Sequence, residues 1–583
     1  MIGGSTRAVP SIAEEVGISA VASSATLQAS LWDRLETDGG RSALAFYDKS
    51  RQAEWITYLD LMTGAAGAAD LLTEAGLRSG DTCVLVAAND RLTADALLGV
   101  ILLGGIPLLV APPAIQGVNS SLPEILEGII TRVAPPVVVC IDRMRSDVEK
   151  LIAGHPSVRF LFGREDLPAS LGDPSQKVAL PEADAIAAMQ LTSGTTGFPR
   201  ICVWKHRSVL AAFDGMATAM DVGRNDLFVN WTPLYHDMGL MNNFLMCLSR
   251  AIPLVMLSPF DIVKDPSIWL QAISDTRATT TWSPNFGYAI AAQRSSDKRL
   301  ENVRLDHVRG FWNAAEKIHL DTMERFADRF EPYGLDRAAL KTNFGCAENV
   351  GGATFTRRGE AYRSERIDAR TFHASQVAEP ASGDQPSLTF VGCGTPHDGI
   401  SLTILDEAGN ALPDGHVGEL ALETTSRMEG YLGDAEATSE AISGPFLKTG
   451  DMGYVRDGEY YWTGRLRERI TVRGRKVDPS DFEAVMLAVP ELREGAFVAF
   501  GIDDPGTGTQ RVVVIAEIRE GDGEGIEAAV RHATFDRLGI AVDEIVLVRS
   551  GTLAKTSSGK RRHRHFREAY VRGDLESFRV HGV

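Results

Sequence analysis

Cysteine is scarce in this sequence and nowhere paired. The six residues Cys83, Cys140, Cys202, Cys247, Cys346 and Cys393 are scattered through 583 positions with no CxxC motif. That layout argues against a zinc site or a disulfide framework and suits reduced thiols in a cytosol. Positive charge is also in short supply. Lys and Arg number 59 against 77 Asp and Glu, a net charge of −18, which opposes general binding to nucleic acid or to an anionic membrane. A clean apolar run of membrane-spanning length is missing too. Leu97–Val118 carries no charge, but Gly104, Gly105, Pro107, Pro112 and Pro113 interrupt it. A buried helix followed by a buried strand is the better expectation. Residues 1–30 contain Glu14 and Glu15 and lack the basic-then-apolar order of a signal peptide. The expected location is cytoplasmic, without integral membrane association, and no internal repeat is evident.

At this length the chain exceeds one hydrophobic core, so at least two domains are expected. Residues 1–25, rich in Ser, Ala and Gly, are expected to be partly disordered. TCVLVAA (82–88), PPVVVCI (135–141), VRFLFG (158–163) and AIAAMQLT (185–192) read as short buried strands between helical segments. That alternation predicts an α/β fold with parallel strands. NWTPLYHDMGLMNNFL (230–245), TTTWSPNFGYAIAAQ (279–293), VRGFWNAAEKI (308–318) and LKTNFGCAENVGG (340–352) each join a β-run to a polar or small-residue turn. Four such junctions predict one site along a single sheet edge. Residues 353–388 are polar and read as an excursion from the sheet. SLTILDEAGNALPDGHVGELAL (401–422) begins a smaller β-rich unit, and Asp457-Gly458 is a strong hairpin signal. A mixed unit follows Arg465 and ends in the basic tail KTSSGKRRHRHFRE (555–568).

The stretch LTSGTTGFPR (191–200) is the natural centre of this layout. Gly194 and Gly197 allow a sharp turn that brings backbone N–H groups close to an anion. The hydroxyls of Thr192, Ser193, Thr195 and Thr196 add rotatable donors. The Gly-Lys-Ser/Thr ending of a Walker loop is absent. On its own such a run is more often a surface turn, as His236-Asp237 is more often structural than catalytic.

Taken together, LTSGTTGFPR, PLYHDMGL (233–240), NAAE (313–316), FGCAE (344–348), TGD (449–451), GRLRERITVRGRKVDPSDFE (464–483) and KTSSGK (555–560) resemble the adenylate-forming superfamily. That group holds acyl-CoA synthetases, peptide-synthetase adenylation domains and luciferases, and the details here look most like fatty acyl-AMP ligases. The resemblance implies a large N-terminal domain over 26–464, built of two α/β subdomains and a smaller β-rich one. It also implies a small mobile α+β lid over 465–583, hinged at Arg467. The implied reaction is attack of a carboxylate on the α-phosphate of ATP, with Mg²⁺ as cofactor. Transfer to the phosphopantetheine of a holo acyl carrier protein would follow.

The same resemblance assigns roles by position. Thr192, Ser193, Gly194, Thr195, Thr196, Gly197 and Arg200 would hold the phosphates and Glu348 the metal. Phe344, Ala315, Glu316 and Asn343 would surround adenine, while Asp451 and Arg465 would hold ribose. Lys560 would bridge carboxylate and α-phosphate, and His236 would gate their meeting. The acyl pocket would involve Met238, Met241, Trp282, Phe286 and Tyr288, an apolar and adaptable lining. Asn242 and Asn243 are more polar than a plain fatty tunnel needs, so a functionalised acid is open. Arg200 and Arg467 depart from the more usual lysine and Asp/Lys, keeping charge but not shape. The insertion 353–388 falls where fatty acyl-AMP ligases carry a segment associated with poor use of CoA. A CoA ligase, an amino-acid-activating enzyme and a degenerate nucleotide-binding regulator are the alternatives.

Overall fold

The computed structural model describes residues 25–112, 122–167, 169, 171–176, 180–192, 198–383, 385–472, 475–487, 489–504, 509–519, 525–553, 561–575 and 578–580. Apart from Ala25, the expectation of disorder over 1–25 lies outside these residues, as do Ser193, Gly194, Thr195, Thr196, Gly197 and Lys560.

Two large sheets dominate. In the first, Phe228–Asn230, Thr280–Pro284, Gly310–Ala314 and Leu340–Cys346 are successive parallel neighbours. Their β-branched and aromatic residues are buried on both faces, as parallel strands covered by helices must be. Leu320–Phe330 is one such cover. It buries Thr322, Met323, Phe326, Ala327 and Phe330, a helical stripe, against the sheet. On one side the sheet continues through Leu254–Met256 to Ser42–Tyr47 and Ala53–Thr57; on the other, Gly351–Phe355 and Thr395–Pro396 pair antiparallel. The second sheet has Thr82–Val86, Ile106–Val110, Val137–Cys140, Arg159–Phe162 and Ile186–Leu191 in parallel. Ile201–Lys205 then returns antiparallel to Ile186–Leu191. The uncharged stretch around residue 100 is helix Arg91–Leu102 followed by strand Ile106–Val110. Among the described residues no helix is long and apolar enough to cross a membrane.

A five-stranded antiparallel unit follows, from Ile400–Leu405 to Glu459–Arg465. Its hairpin turns at Asp457 (φ 51°) and Gly458 (φ 76°), the paired left-handed residues of a tight two-residue turn. Beyond Arg465, Leu492–Asp504, Thr509–Ile518 and Glu544–Val548 form a three-stranded sheet. Helices Pro479–Met486, Ile526–Leu538 and His563–Arg572 accompany it. The architecture is mixed α/β throughout, as the alternation of the sequence implied.

The excursion differs from expectation in two ways. Its first residues, Ala353, Thr354 and Phe355, belong to the first sheet, in the strand Gly351–Phe355. The remainder is not merely polar: Ser364–Asp368 and Ser387–Val391 pair antiparallel around helix Ala369–Ser375. Ile367, Phe372 and Leu388, with Phe390 just past the excursion, enter one hydrophobic cluster with Val477, Phe482 and Phe497 from the segment after Arg465. Scattered apolar residues in a charged stretch hid that face from a composition-based reading.

Gly394 (φ 86°) sits where a Cβ would collide with the carbonyl carbon of Phe355, whereas Gly359 (φ 74°) faces open space. Gly394→Ala is expected to cost well over about 1 kcal/mol and Gly359→Ala less. Urea midpoints of the two variants check this; equal shifts would show that the close approach is immaterial.

Candidate active site

The four parallel strands end along one edge, and the turns beyond them form the wall of a cleft of about 1580 Å³. They deliver His236, Phe286, Ala315, Glu316, Phe344 and Glu348 to that wall. Two non-glycine residues there adopt left-handed backbone. Ala315 has φ 74° and Val350, just past Glu348, has φ 53°. A β-branched residue in this region is costly, and such strain persists where surrounding structure over-determines it, often beside ligands.

Several charged groups at the cleft are held by neighbours. Tyr431 donates its hydroxyl to Glu348 Oε1 at 2.7 Å. Burial, then the Glu348 carboxylate, pushes the Tyr431 phenol far up, so it remains a donor. Arg200 lies 5.0 Å over the Tyr431 ring and 3.6 Å from Asp434. Asp451, its side chain 1% exposed, receives Arg465 Nε at 2.9 Å and Trp462 Nε1 at 2.7 Å. The Asp451 carboxylate in turn raises the Arg465 pKa. Thr192 and Arg200 close the hairpin between Ile186–Leu191 and Ile201–Lys205 through Thr192 N–H to Arg200 O (2.8 Å), and both line the cleft. His236 Nδ1 is 2.6 Å from Asp237 Oδ1, which also accepts from the Met238 N–H at 2.8 Å.

The segment after Arg465 forms the facing wall. Lys317, directly after Glu316, reaches Ser480 Oγ at 3.0 Å and Asp481 Oδ1 at 3.2 Å. Burial, then Asp481, raises the Asp478 carboxyl to about 6. Glu483 receives Arg561 Nη1 at 2.8 Å and lies 3.2 Å from His563 Nε2. Burial, helped by Lys317 and Arg561, lowers His319 to about 3, so this cleft-lining imidazole is neutral at pH 7.

Most of the expected residues meet here. Asn343, Phe344, Ala315, Glu316, Glu348, Asp451, Arg465, Arg467, Thr192, Arg200, His236, Met238 and Phe286 all line the cleft. Glu316 also caps a helix, accepting from Phe286 N–H at 2.6 Å. Arg467 pairs with Glu440 at 2.9 Å. Three acyl-pocket expectations need correcting. Met241, Trp282 and Tyr288 are fully buried in the core, not at the cleft. Trp282 stacks on Trp312, and Tyr288 packs edge-on to Trp269 and Phe326. Helical phase explains Tyr288: on Asn285–Arg294 the cleft face is Phe286, Ala289, Ile290 and Gln293, and residue 288 points the other way. Sequence reasoning missed Tyr431, Trp462, Lys317 and Arg561. Lys317 and Arg561 directly follow quoted motifs and were within reach of it. Tyr431 acts through a strand pairing with Cys202 that no local pattern announces.

Residues 31–432 match the AMP-binding enzyme model, described as AMP-binding enzyme. The chain belongs to this family. It is 28% identical over 505 residues to the medium-chain-fatty-acid–[acyl-carrier-protein] ligase JamA of Moorena producens, covering 83% of this chain and 84% of that one. It is 27% identical to the long-chain-fatty-acid–AMP ligase FadD26 of Mycobacterium marinum, covering 90% and 92%. A solved structure from work on the fatty acyl-adenylate ligases of E. coli and L. pneumophila superposes with a TM-score of 0.86 at 26% identity, over 95% and 98% of the chains. The structure of McyG A-PCP with phenylalanyl-adenylate has a TM-score of 0.82 at 22% identity, over 95% of this chain and 84% of that one. That second likeness speaks for the fold alone.

In this AMP-binding enzyme the Lys317–Asp481 pair is almost fully desolvated, at 11% and 1% side-chain exposure. Lys317→Met strands a buried carboxylate and is expected to cost about 3–5 kcal/mol, whereas adding Asp481→Leu restores most of it. Urea unfolding of both variants is the measurement, and an unchanged Lys317→Met midpoint would sink the expectation.

Proposed function

We propose that the cleft activates a fatty or modified carboxylic acid as its acyl-AMP and then loads it onto the phosphopantetheine thiol of an acyl carrier protein. The observation that carries this proposal is convergence. Glu348, Phe344, the Asp451–Arg465 pair and the Thr192/Arg200 hairpin closure face one cleft although they span about half the chain. Family membership supports ATP as the nucleotide, since AMP-binding enzymes use it.

Both reactants are anions, so catalysis consists of neutralising charge and fixing an in-line approach. A carboxylate oxygen of the acid attacks the α-phosphorus, and the bond to pyrophosphate breaks. Arg200 and the Gly/Thr run 193–197 would hold the β- and γ-phosphates. Phe344 would stack on adenine, flanked by Ala315, Glu316 and Asn343. Asp451 would accept from the ribose hydroxyls, with Arg465 beside it. Glu348 would hold Mg²⁺: a partly buried carboxylate with one oxygen occupied by Tyr431 suits a hard cation that takes its other ligands from phosphate and water. That cation would supply charge neutralisation on the phosphates. Lys560 would bridge carboxylate and α-phosphate; its neighbour Arg561 lines the cleft. His236, oriented by Asp237, would shape the meeting point.

In the second half-reaction the carrier thiol attacks the acyl carbon and AMP leaves. We take Arg465 as the boundary of the lid, with Arg467 as its hinge. The names of JamA and FadD26 favour carrier loading, while another relative, from Mycobacterium tuberculosis and 26% identical, is named a putative fatty-acid–CoA ligase. The shared hydrophobic cluster of the excursion and the lid supports the carrier reading, because it ties the lid to the larger unit.

Lys560→Ala is expected to lower pyrophosphate release by at least about a hundredfold while circular dichroism stays native; near-normal release would refute the role. Phe372→Ala, which loosens the excursion from the lid cluster, is expected to raise thioester formation with CoA relative to a holo carrier protein. An unchanged ratio would count against the excursion as the acceptor determinant.

A further inference from the structure

The chain after His236-Asp237 runs through a single π-helical turn, Leu240–Leu245, inserted between α-helical turns. Insertions of this kind redirect side chains and recur at functional sites. This one carries two consecutive buried asparagines, and they are not equivalent. Asn243 donates to Met238 O at 2.7 Å and does not line the cleft. Asn242 is 3% exposed and lines the cleft, and its Oδ1 has no hydrogen-bond partner among the described residues. Its Oδ1 lies so close to Gly351 (φ 97°) that a Cβ there would collide with it, so glycine at 351 makes room for the amide. The same cleft also carries the apolar side chains of Met238, Phe286 and Ile290. A buried amide oxygen without a partner destabilises the empty protein unless a ligand or water meets the amide.

We propose that Asn242 selects an oxygen substituent, hydroxyl or keto, carried on the acid close to its carboxylate. The enzyme would thus activate an oxygenated acyl chain in preference to a plain fatty acid. This rests on the acid-activating reading of the cleft given above. Three placements favour the carboxylate end over the distant end of the chain. Asn242 lies one turn beyond Met238, close in sequence to His236, and against Gly351, three residues past Glu348. A neutral amide matches an oxygen better than an ammonium group. The nearby carboxylate, Asp237, is already engaged with His236 and the Met238 N–H, which argues against an amino acid.

The test is pyrophosphate release by the full-length wild type with plain, 2-hydroxy and 3-hydroxy acids of eight and of fourteen carbons. At least one hydroxy acid is expected to exceed its plain counterpart by about tenfold in kcat/KM, the size of one net hydrogen bond. Asn242→Leu is expected to abolish or reverse that ratio while leaving the KM for ATP unchanged. Equal or better use of plain acids by the wild type overturns the proposal and means that water satisfies Asn242. A preference that survives in Asn242→Leu also overturns it. Should that variant not fold, the wild-type ratio decides alone. Release with no acid at all would instead overturn the acid-activating reading, and the proposal with it.

Discussion

Adjacent strands of a sheet lie about 4.8 Å apart, and that spacing governs how near the cleft residues come to one another. Four parallel neighbours ending at one edge span about 14 Å, and each contributes a turn whose first side chains face inward. Distant parts of the sequence thereby meet without any long loop. The left-handed Ala315 and Val350 show what the tight exits cost locally. The exits after Phe228–Asn230 and Thr280–Pro284 manage without any such residue.

Electrostatics follows from the same crowding. An acidic protein that receives a polyanion must keep its own carboxylates from repelling it. Here several are matched by a cation: Asp451 by Arg465, Asp434 by Arg200, Glu483 by Arg561, Asp481 by Lys317. The last two matches join the facing walls or brace one of them. The cleft is therefore as much an ionic network as a cavity, and its two sides are coupled through buried charge as well as through the shared apolar cluster.

Much of this was legible beforehand, because strands buried on both faces leave continuous β-branched runs and the turns after them leave small or polar residues. Both signals are local. The parallel strands, the hairpin at Asp457-Gly458 and the meeting of Glu348, Asp451 and Phe344 were read in that way or from the matched motifs. What escaped depends on direction and distance. Tyr288 and Phe286 are neighbours in sequence yet face opposite ways on their helix, so one joins the aromatic core and the other the cleft. Met241 sits in a π turn whose phase cannot be read from spacing tuned to 3.6 residues. Tyr431 meets Glu348 across 83 residues. Ile367 and Phe372 looked like isolated apolar residues in a polar insertion until a hairpin placed them in one cluster with Phe390.

All six cysteines are buried, and burial raises the pKa of every one of them. Thiol reagents attack thiolates, so the native sulfurs are poor targets while the fold holds. A dye attached through a cysteine introduced at an exposed position such as Leu59 or Phe535 would consequently report from that position alone. The wild-type sequence is thus ready for fluorescence measurement of whether the two walls move against each other, with no background substitutions to clear first.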